Sequence, residues 1–221
     1  MPRGLLIVFE GAEGAGKSTQ LRLLAERLSA RGCDVVAVRE PGGTVIGDEI
    51  RRLLLDPASD IGPRAEALLF MASRAQLVDR EIRPALDRGA MVLVDRFFLS
   101  TYAYQGAGRG LSHDELRVAN ALATHGLVPD ITLLITLPVE DGLARARQRG
   151  GHDRMERAEL DFHERVEKAF AAFAEPEWQR ANRECGPIVL VDGRGSPDSV
   201  FARVLATLGE RWPETFPMIH S

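Results

Sequence analysis

The sequence predicts an α/β protein with a five-stranded parallel sheet and helices on both faces. Two observations lead to this prediction: short apolar runs recur along the chain, and amphipathic helical patterns lie between them. The runs occupy residues 5–9, 35–38, 91–95, 131–137 and 188–191. Uninterrupted apolar runs are typical of strands that are buried on both faces. Their alternation with helices is typical of a doubly wound parallel sheet.

The first half of the chain begins with a strand, a glycine-rich turn and a helix. Apolar residues recur at helical spacing from Leu21 to Leu28, and Gly32 is predicted to end that helix. The second strand, at 35–38, precedes helical patterns around 44–55 and 64–87. Proline-containing breakers separate those two patterns, so we expect two helices rather than one.

The second half continues the alternation. After the strand at 91–95, Ser112 and Glu115 form a capping-box pattern that predicts a helix to about residue 125. Helical patterns follow the fourth strand at 139–149 and 158–182, and Ser196-Pro197 predicts the start of a last helix. No repeat or linker interrupts this order, and we expect a single domain over residues 1–221.

The composition is that of an ordinary globular protein, with 45% hydrophobic residues, 27% charged residues and a net charge of −4. Such a mildly acidic chain is not expected to bind nucleic acid. No apolar run approaches the roughly 20 residues of a membrane span, so no membrane partner is expected either. Cys33 and Cys185 lie far apart, without metal-binding spacing, as is usual for thiols of a reducing compartment. We therefore expect a cytoplasmic protein.

Residues 10–19, EGAEGAGKST, predict a phosphate-binding loop. Gly11, Gly16, Lys17 and Ser18 match the Walker A pattern, directly after a strand and before a helix. The backbone N–H groups and the helix N-terminus would hold the phosphates of ATP, and Lys17 would reach the β- and γ-phosphates. The predicted ATP-binding residues are Gly11, Ala12, Glu13, Gly14, Ala15, Gly16, Lys17, Ser18 and Thr19. The alternative is a glycine-rich turn with an incidental lysine.

Two oxygen-bearing side chains predict a Mg²⁺ site beside this loop. The Ser18 hydroxyl belongs to the Walker A pattern, and Asp95 ends the third strand as a second, Walker B-like acid. A solvated carboxylate at a strand end is the alternative for Asp95. Of the 28 basic residues only Lys17 and Lys168 are lysines. Because lysine is so rare in this chain, a lysine in the loop indicates a functional requirement rather than chance. The loop alone does not separate kinases from switch or partition NTPases.

Four further stretches give the chain its resemblance to a known family. They are REPGGT at 39–44, FMASRAQL at 70–77, DRFFLSTYAYQGAGRG at 95–110 and RARQRGGHDRMERAELDFHERV at 145–166. With the phosphate loop, they resemble the motifs of bacterial thymidylate kinases, in the same order and over most of the chain. The resemblance implies the fold of phosphate-loop nucleoside monophosphate kinases and transfer of phosphate from ATP to dTMP, giving dTDP.

The resemblance also implies a dTMP-binding site. Phe70 and Arg74 lie four residues apart, on one helix face, and match the family's base-stacking aromatic residue and base-reading arginine. Arg39 and Arg96 follow two strands and would hold the acceptor phosphate, and Arg96 is also expected to be catalytic. The remaining members of the predicted site are Glu10, near the acceptor sugar and also expected to be catalytic, Pro41, Ser100, Thr101, Tyr104 and Gln105. Spacing alone favours the alternative, a core phenylalanine with a surface arginine, and only the resemblance assigns Phe70 and Arg74 to the base.

The charge for phosphoryl transfer is expected from a mobile lid at about 145–157. The phosphate loop contains no arginine, so the chain resembles the family members whose catalytic arginine lies in the lid. Arg149 and Arg154 flank Gly150-Gly151 and are the predicted catalytic pair, together with Lys17. Arg147 and Arg157 are further candidates, and a solvated basic face is the alternative. Glu13 is expected to be a solvated side chain on the outer edge of the loop.

The predicted reaction is a direct in-line transfer with Mg²⁺ and without a covalent enzyme intermediate. A related kinase that accepts another nucleotide or a deoxynucleoside is the nearest alternative. A switch or partition ATPase, which would hydrolyse nucleotide without an acceptor, is the alternative from a different class. The resemblance further implies a homodimer formed through helices of the acceptor half.

Overall fold

The computed structural model describes residues 3–148, 154 and 160–216. Its five strands form one parallel sheet in the order β2-β3-β1-β4-β5, which confirms the predicted fold class. The strands are β1 (Leu6–Glu10), β2 (Val35–Arg39), β3 (Met91–Asp95), β4 (Ile131–Thr136) and β5 (Ile188–Asp192). Each of them overlaps one of the apolar runs.

Strand β1 lies at the centre of the sheet and determines where the functional loops meet. Phe9 of β1 lies opposite Asp95 of β3, and Glu10 lies opposite Leu134 of β4. The carboxyl ends of β1, β2 and β3 therefore lie side by side at one edge. Ligands of such sheets bind in the crevice at this edge.

The helices cover both faces of the sheet, as predicted. They are α1 (Lys17–Ala30), α2 (Val45–Leu55), α3 (Pro63–Leu77), α4 (Arg83–Asp87), α5 (Phe98–Thr101), α6 (His113–Thr124), α7 (Val139–Gln148), α8 (Leu160–Phe173), α9 (Pro176–Ala181) and α10 (Pro197–Arg211). Alternate residues of β1 enter two separate cores. Leu6 and Val8 pack with α3 and α8, whereas Ile7 and Phe9 pack with α1 and α10.

Some predicted helices differ in detail from those observed. The pattern at 64–87 is α3, a π-helical turn (Val78–Ile82) and α4. Pro84 has no backbone N–H, so the wider turn before it accommodates the missing helical hydrogen bond. The pattern at 158–182 is divided into α8 and α9, and Pro176 lies at the start of α9.

The stretch after β3, where the sequence pattern predicted no helix, forms α5 and a π-helical turn (Tyr102–Gly108). One local prediction is wrong. Ser112 precedes α6 at its N-cap position, but its side chain forms no capping hydrogen bond, so the capping box is not made. By contrast, the Ser196 hydroxyl accepts a hydrogen bond from the Ser199 N–H at 3.2 Å and caps α10 as predicted.

Within the residues that the structure describes, no helix combines the length and the apolar character needed to cross a membrane. The single-domain organisation with a mobile lid at about 145–157 stays a prediction, because most of the proposed lid lies outside the described residues.

Candidate active site

A cavity of about 280 Å³ lies at the carboxyl ends of β1, β2 and β3. It brings together most of the residues that the sequence predicted to bind ATP or dTMP. Its lining contains Glu13, Gly14, Gly16, Lys17, Ser18, Arg39, Glu40, Pro41, Arg51, Leu55, Phe70, Arg74, Asp95, Arg96, Ser100, Thr101, Tyr104 and Gln105. One wall is therefore the phosphate loop, and the opposite wall is formed by α3 and the segment after β3.

The phosphate loop has a backbone that only glycine adopts easily. Gly11, Gly14 and Gly16 have φ values of 138°, 70° and 98°. A Cβ atom at Gly14 would lie 1.9 Å from the carbonyl oxygen of Gly142, at the start of α7. The loop thus packs directly against the chain after β4, and Gly14 is required by close approach as well as by φ.

Lys17 is the cation of this loop. Its side chain is buried, and Nζ donates a hydrogen bond of 2.8 Å to the carbonyl oxygen of Ala12. Burial, with Arg96 nearby, lowers the pKa of Lys17 to about 8. The ammonium group is therefore held in a site where its charge is poorly solvated, and an anion such as a phosphate would stabilise it.

Ser18 and Asp95 meet at the start of α1. The Ser18 hydroxyl donates a hydrogen bond of 2.5 Å to Oδ2 of Asp95. A hydroxyl and one carboxylate fit Mg²⁺, a hard cation that usually takes few protein oxygens and completes its shell with phosphates and water. Among the described residues, no group of three or more His, Cys, Asp or Glu side chains is placed to hold a metal ion.

Glu10 is fully buried at the end of β1. Its Oε1 accepts hydrogen bonds from the backbone N–H groups of Phe97, at 2.7 Å, and Ser100, at 3.0 Å. Its Oε2 accepts a bond of 2.6 Å from the Ser100 hydroxyl. The carboxylate therefore holds the first turn of α5 against the sheet, and its predicted contact with an acceptor sugar stays a prediction.

Arg96 connects the phosphate loop with the segment after β3. Its Nη2 donates a hydrogen bond of 3.0 Å to Glu13, and Nη1 donates one of 3.1 Å to the Ser100 hydroxyl. Its guanidinium lies 4.9 Å from the centre of the Tyr104 ring. The expectation that Glu13 is a solvated side chain on the outer edge is wrong, because the acid faces the cavity and forms an ion pair with Arg96.

Arg74 is the centre of a buried polar network. Its side chain is 2% exposed and pairs with Glu40, with Nη2 at 2.5 Å from Oε2. The remaining N–H groups donate to the Thr101 hydroxyl, the Asn120 side-chain oxygen and the Phe97 carbonyl. These contacts use all five N–H groups of the guanidinium. A direct hydrogen bond to a base therefore requires the exchange of one of them.

The other predicted acceptor residues surround this network. Phe70 lies one helical turn before Arg74 on α3, and both line the cavity. Arg39 is exposed at the end of β2, and Pro41 follows it in the turn before α2. Burial raises the pKa of Tyr104 to about 12, so that its hydroxyl remains protonated at neutral pH.

Arg154 contacts the acceptor half of the site. Its Nε donates a hydrogen bond of 2.8 Å to the Leu54 carbonyl at the end of α2. Its Nη2 lies 2.6 Å from Oε2 of Glu66, which is on α3. Arg149, its predicted partner, lies outside the described residues, as does Arg157.

Sequence reasoning missed three residues of this region: Glu13 as the partner of Arg96, Asn120 as a partner of Arg74, and Glu66 as an acceptor for several donors. Asn120 and Glu66 are each fully buried on a helix. A polar residue on the apolar face of an amphipathic helix was the available signal, because such groups are usually buried with a partner.

Comparisons with known proteins identify the family of this chain. A family model described as thymidylate kinase matches residues 9–184. A thymidylate kinase of Deinococcus radiodurans is 48% identical over 211 residues, which cover 96% of this chain and 99% of the relative. A thymidylate kinase of Carboxydothermus hydrogenoformans is 46% identical, with coverage of 90% and 94%. The crystal structure of thymidylate kinase from Ehrlichia chaffeensis superposes with a TM-score of 0.72 at 30% identity, over 94% of this chain and 99% of that chain.

Proposed function

The chain belongs to the thymidylate kinase family, which phosphorylates dTMP to dTDP with ATP, and we propose that this reaction takes place in the cavity described above. The observation that supports this most is the arrangement of its walls. A phosphate loop lies on one side, and a half-buried aromatic residue with buried hydrogen-bonding groups lies on the other. This arrangement is suited to the transfer of a phosphoryl group between two nucleotides.

ATP would bind with its phosphates on the loop. The backbone N–H groups after Gly11 and the N-terminus of α1 bind the phosphate oxygens, and Lys17 neutralises the charge of the β- and γ-phosphates. Ser18 and Asp95 are the residues that would hold Mg²⁺, which supplies charge stabilisation at the phosphates when it is bound. The chain itself contributes fixed dipoles and one ammonium group in a partly closed cavity, where they act more strongly than in water.

The acceptor phosphate would lie between Arg96 and Arg39, at the ends of β3 and β2. Arg96 is held by Glu13 and Ser100, so its position beside the phosphate loop is fixed before substrate binds. Arg39 is exposed and is the more adjustable of the two. A phosphate between them receives charge-assisted hydrogen bonds from two sides, which directs its oxygen toward the γ-phosphate.

The thymine base would stack on Phe70, with Pro41 across the cavity. Ser100, Thr101 and Gln105 offer neutral hydrogen-bonding groups, and Arg74 is held beside them by Glu40. The Tyr104 ring would lie against the sugar. It would favour deoxyribose over ribose, because the buried ring leaves little room for a 2′-hydroxyl. Glu10 would act near the sugar mainly by fixing Ser100 and the start of α5.

The additional charge for transfer would come from an arginine of the segment 145–157. Arg149 is the leading candidate, since Arg154 already contacts Glu66 and the Leu54 carbonyl. For Arg154 to stabilise the transferring phosphoryl group, its contacts with Glu66 and the Leu54 carbonyl would have to break during the reaction. The paired roles of Arg149 and Arg154 therefore stay a prediction, and their separate variants distinguish them.

A coupled assay of ADP release tests the proposed function. With ATP and Mg²⁺, we expect turnover with dTMP, weaker turnover with dUMP, little with GMP or CMP, and none after chelation by EDTA. The missing methyl group of dUMP corresponds to a discrimination of only about 10–200-fold. Strong activity on GMP or CMP without activity on dTMP would contradict the proposal. Rapid ATP hydrolysis without any acceptor would favour the switch or partition ATPase instead.

A homodimer would bury an apolar surface on the acceptor half. Leu68 of α3 and Val118 and Leu122 of α6 are 65%, 69% and 77% exposed, and α3 packs against α6. Exposed apolar residues grouped in this way are typical of association surfaces. Sedimentation velocity is expected to give twice the mass of 24.2 kDa, and Leu122→Glu is expected to give the monomer. A wild-type monomer at micromolar concentration would contradict this.

The free thiols Cys33 and Cys185 agree with a cytoplasmic location.

A further inference from the structure

Glu66 has a buried carboxylate to which the proposed reaction assigns no role. It lies in the first turn of α3, one helical turn before Phe70, and its side chain is 0% exposed. It is not part of the cavity lining. A carboxylate in such a place is costly unless it is paired and hydrogen-bonded, so its partners indicate what it holds in position.

Glu66 accepts hydrogen bonds from three side chains. Its Oε1 accepts from Nε2 of Gln105 at 3.0 Å and from Nε of Arg109 at 3.3 Å. Its Oε2 accepts from Nη2 of Arg109 at 3.2 Å and from Nη2 of Arg154 at 2.6 Å. Of these partners only Gln105 lines the cavity. Glu66 therefore reaches the site through Gln105.

A carboxylate can accept hydrogen bonds but cannot donate them, so it selects one orientation of the neighbouring amide. The Gln105 NH₂ group must point toward Glu66, which leaves its carbonyl Oε1 on the other side. Gln105 is 1% exposed, and among the described residues no hydrogen bond engages its Oε1. An amide carbonyl is thus offered to a ligand, and it can only accept.

We propose that Glu66 is a specificity-determining positioning residue, which orients Gln105 so that its carbonyl oxygen accepts the N3–H of the acceptor base. Thymine and uracil carry a hydrogen on N3, whereas N3 of cytosine is itself an acceptor. Thymine and uracil can therefore donate N3–H to the Gln105 carbonyl oxygen. With cytosine, N3 and the carbonyl oxygen are both acceptors, and no hydrogen bond forms between them. The proposal rests on the proposed placement of dTMP in this cavity.

The two arginines make this orientation robust. Arg109 lies over the Phe162 ring at 4.7 Å, and Arg154 is bound to the end of α2 through its backbone and side chain. Both therefore approach Glu66 from separate elements and neutralise it. The two guanidinium groups thus compensate the charge of the buried carboxylate that accepts the hydrogen bond from Gln105.

Glu66→Gln tests the proposal, because the new amide keeps the size but can both accept and donate, so Gln105 is free to turn. We expect the KM of dTMP and of dUMP to rise in parallel by about tenfold, the size of one lost hydrogen bond. The inhibition constant of dCMP, measured against dTMP, is expected to stay the same or fall. The KM of ATP and kcat at saturation are expected to change by less than about twofold.

Control variants separate this role from a merely structural one. Arg109→Gln removes an ion pair of Glu66 but leaves the bond to Gln105, so it is expected to lower the melting temperature and keep the preference for dTMP over dCMP. Glu49→Gln removes an exposed ion pair on α2 and is expected to have no effect. If Glu66→Gln does not fold, Gln105→Met removes the amide at similar length and is expected to show the same loss of preference.

An unchanged preference for dTMP over dCMP in folded Glu66→Gln, or in Gln105→Met, would overturn the proposal. An equal loss of affinity for dTMP, dUMP and dCMP together with a fall in kcat would also overturn it, because that pattern indicates general damage to the site. These outcomes differ from failure of the proposed function. In that case the wild type itself would not phosphorylate dTMP, or Phe70→Ala would leave the KM of dTMP unchanged.

Discussion

Arg149→Ala is expected to lower kcat for dTMP by about 10³-fold, with little change in the KM of either substrate. An arginine that meets the transferring phosphoryl group contributes about 10³–10⁵ in rate. Three of the described cations in this region already have partners. Lys17 donates to the Ala12 carbonyl, Arg96 pairs with Glu13, and Arg154 pairs with Glu66. Steady-state kinetics with both substrates varied separates kcat from KM.

The comparison with Arg154→Ala decides between the two predicted lid arginines. Because Arg154 contacts α2 and Glu66, its loss is expected to lower stability and dTMP affinity more than kcat. Arg22→Ala, which removes an exposed arginine of α1, is the matched control and is expected to behave as wild type. If Arg149→Ala retains kcat within about threefold while Arg154→Ala loses it, the assignment of Arg149 is wrong. If neither variant loses turnover, no lid arginine acts in transfer.

Lys17→Met is expected to lower kcat by about 10²–10³-fold, the usual effect of removing one preorganised donor from a developing charge. Methionine keeps most of the apolar stem, so the loop retains its packing. Burial lowers the pKa of Lys17 to about 8, which means that the folded state holds the ammonium in an unfavourable environment. The variant is therefore expected to melt at the same temperature as wild type or higher. Turnover assays and thermal melts of the same preparations measure both effects.

The second lysine of the chain provides the control for this variant. Lys168 lies on α8 with an exposed side chain, and Lys168→Ala is expected to leave both kcat and the melting temperature unchanged. A large drop in the melting temperature of Lys17→Met would show that the lysine acts through the structure of the loop. Full turnover by that variant would contradict the role of Lys17 at the phosphates.

Much of the fold was predictable because its signals are local. The strands are apolar runs of about five residues, and the carboxyl ends of β1, β2 and β3 coincide with motifs. The π-helical turns were not predictable in this way. Val78–Ile82 lies just before Pro84, which cannot make a helical hydrogen bond, and Tyr102–Gly108 packs against α8. Period and propensity describe ordinary helices, so both turns were either merged with a neighbouring helix or missed.

The site was predictable as a set of residues but not as a set of contacts. The motifs named most of the cavity lining, including Phe70 and Arg74. They did not show that Glu13 would pair with Arg96, 83 residues away. Glu66 and Asn120 are similar cases, since each accepts a hydrogen bond from an arginine of another element. Such pairs are determined by tertiary packing, and their sequence signal is only a polar residue at a buried helical position.

A crystal structure of the protein with dTMP and a non-hydrolysable ATP analogue would show both nucleotides in the cavity at once. We expect the γ-phosphate analogue at Lys17, the acceptor phosphate within hydrogen-bonding distance of Arg96 and Arg39, and the thymine ring stacked on Phe70. Binding of dTMP outside this cavity, or inside it with the base directed toward the phosphate loop, would contradict the proposed function.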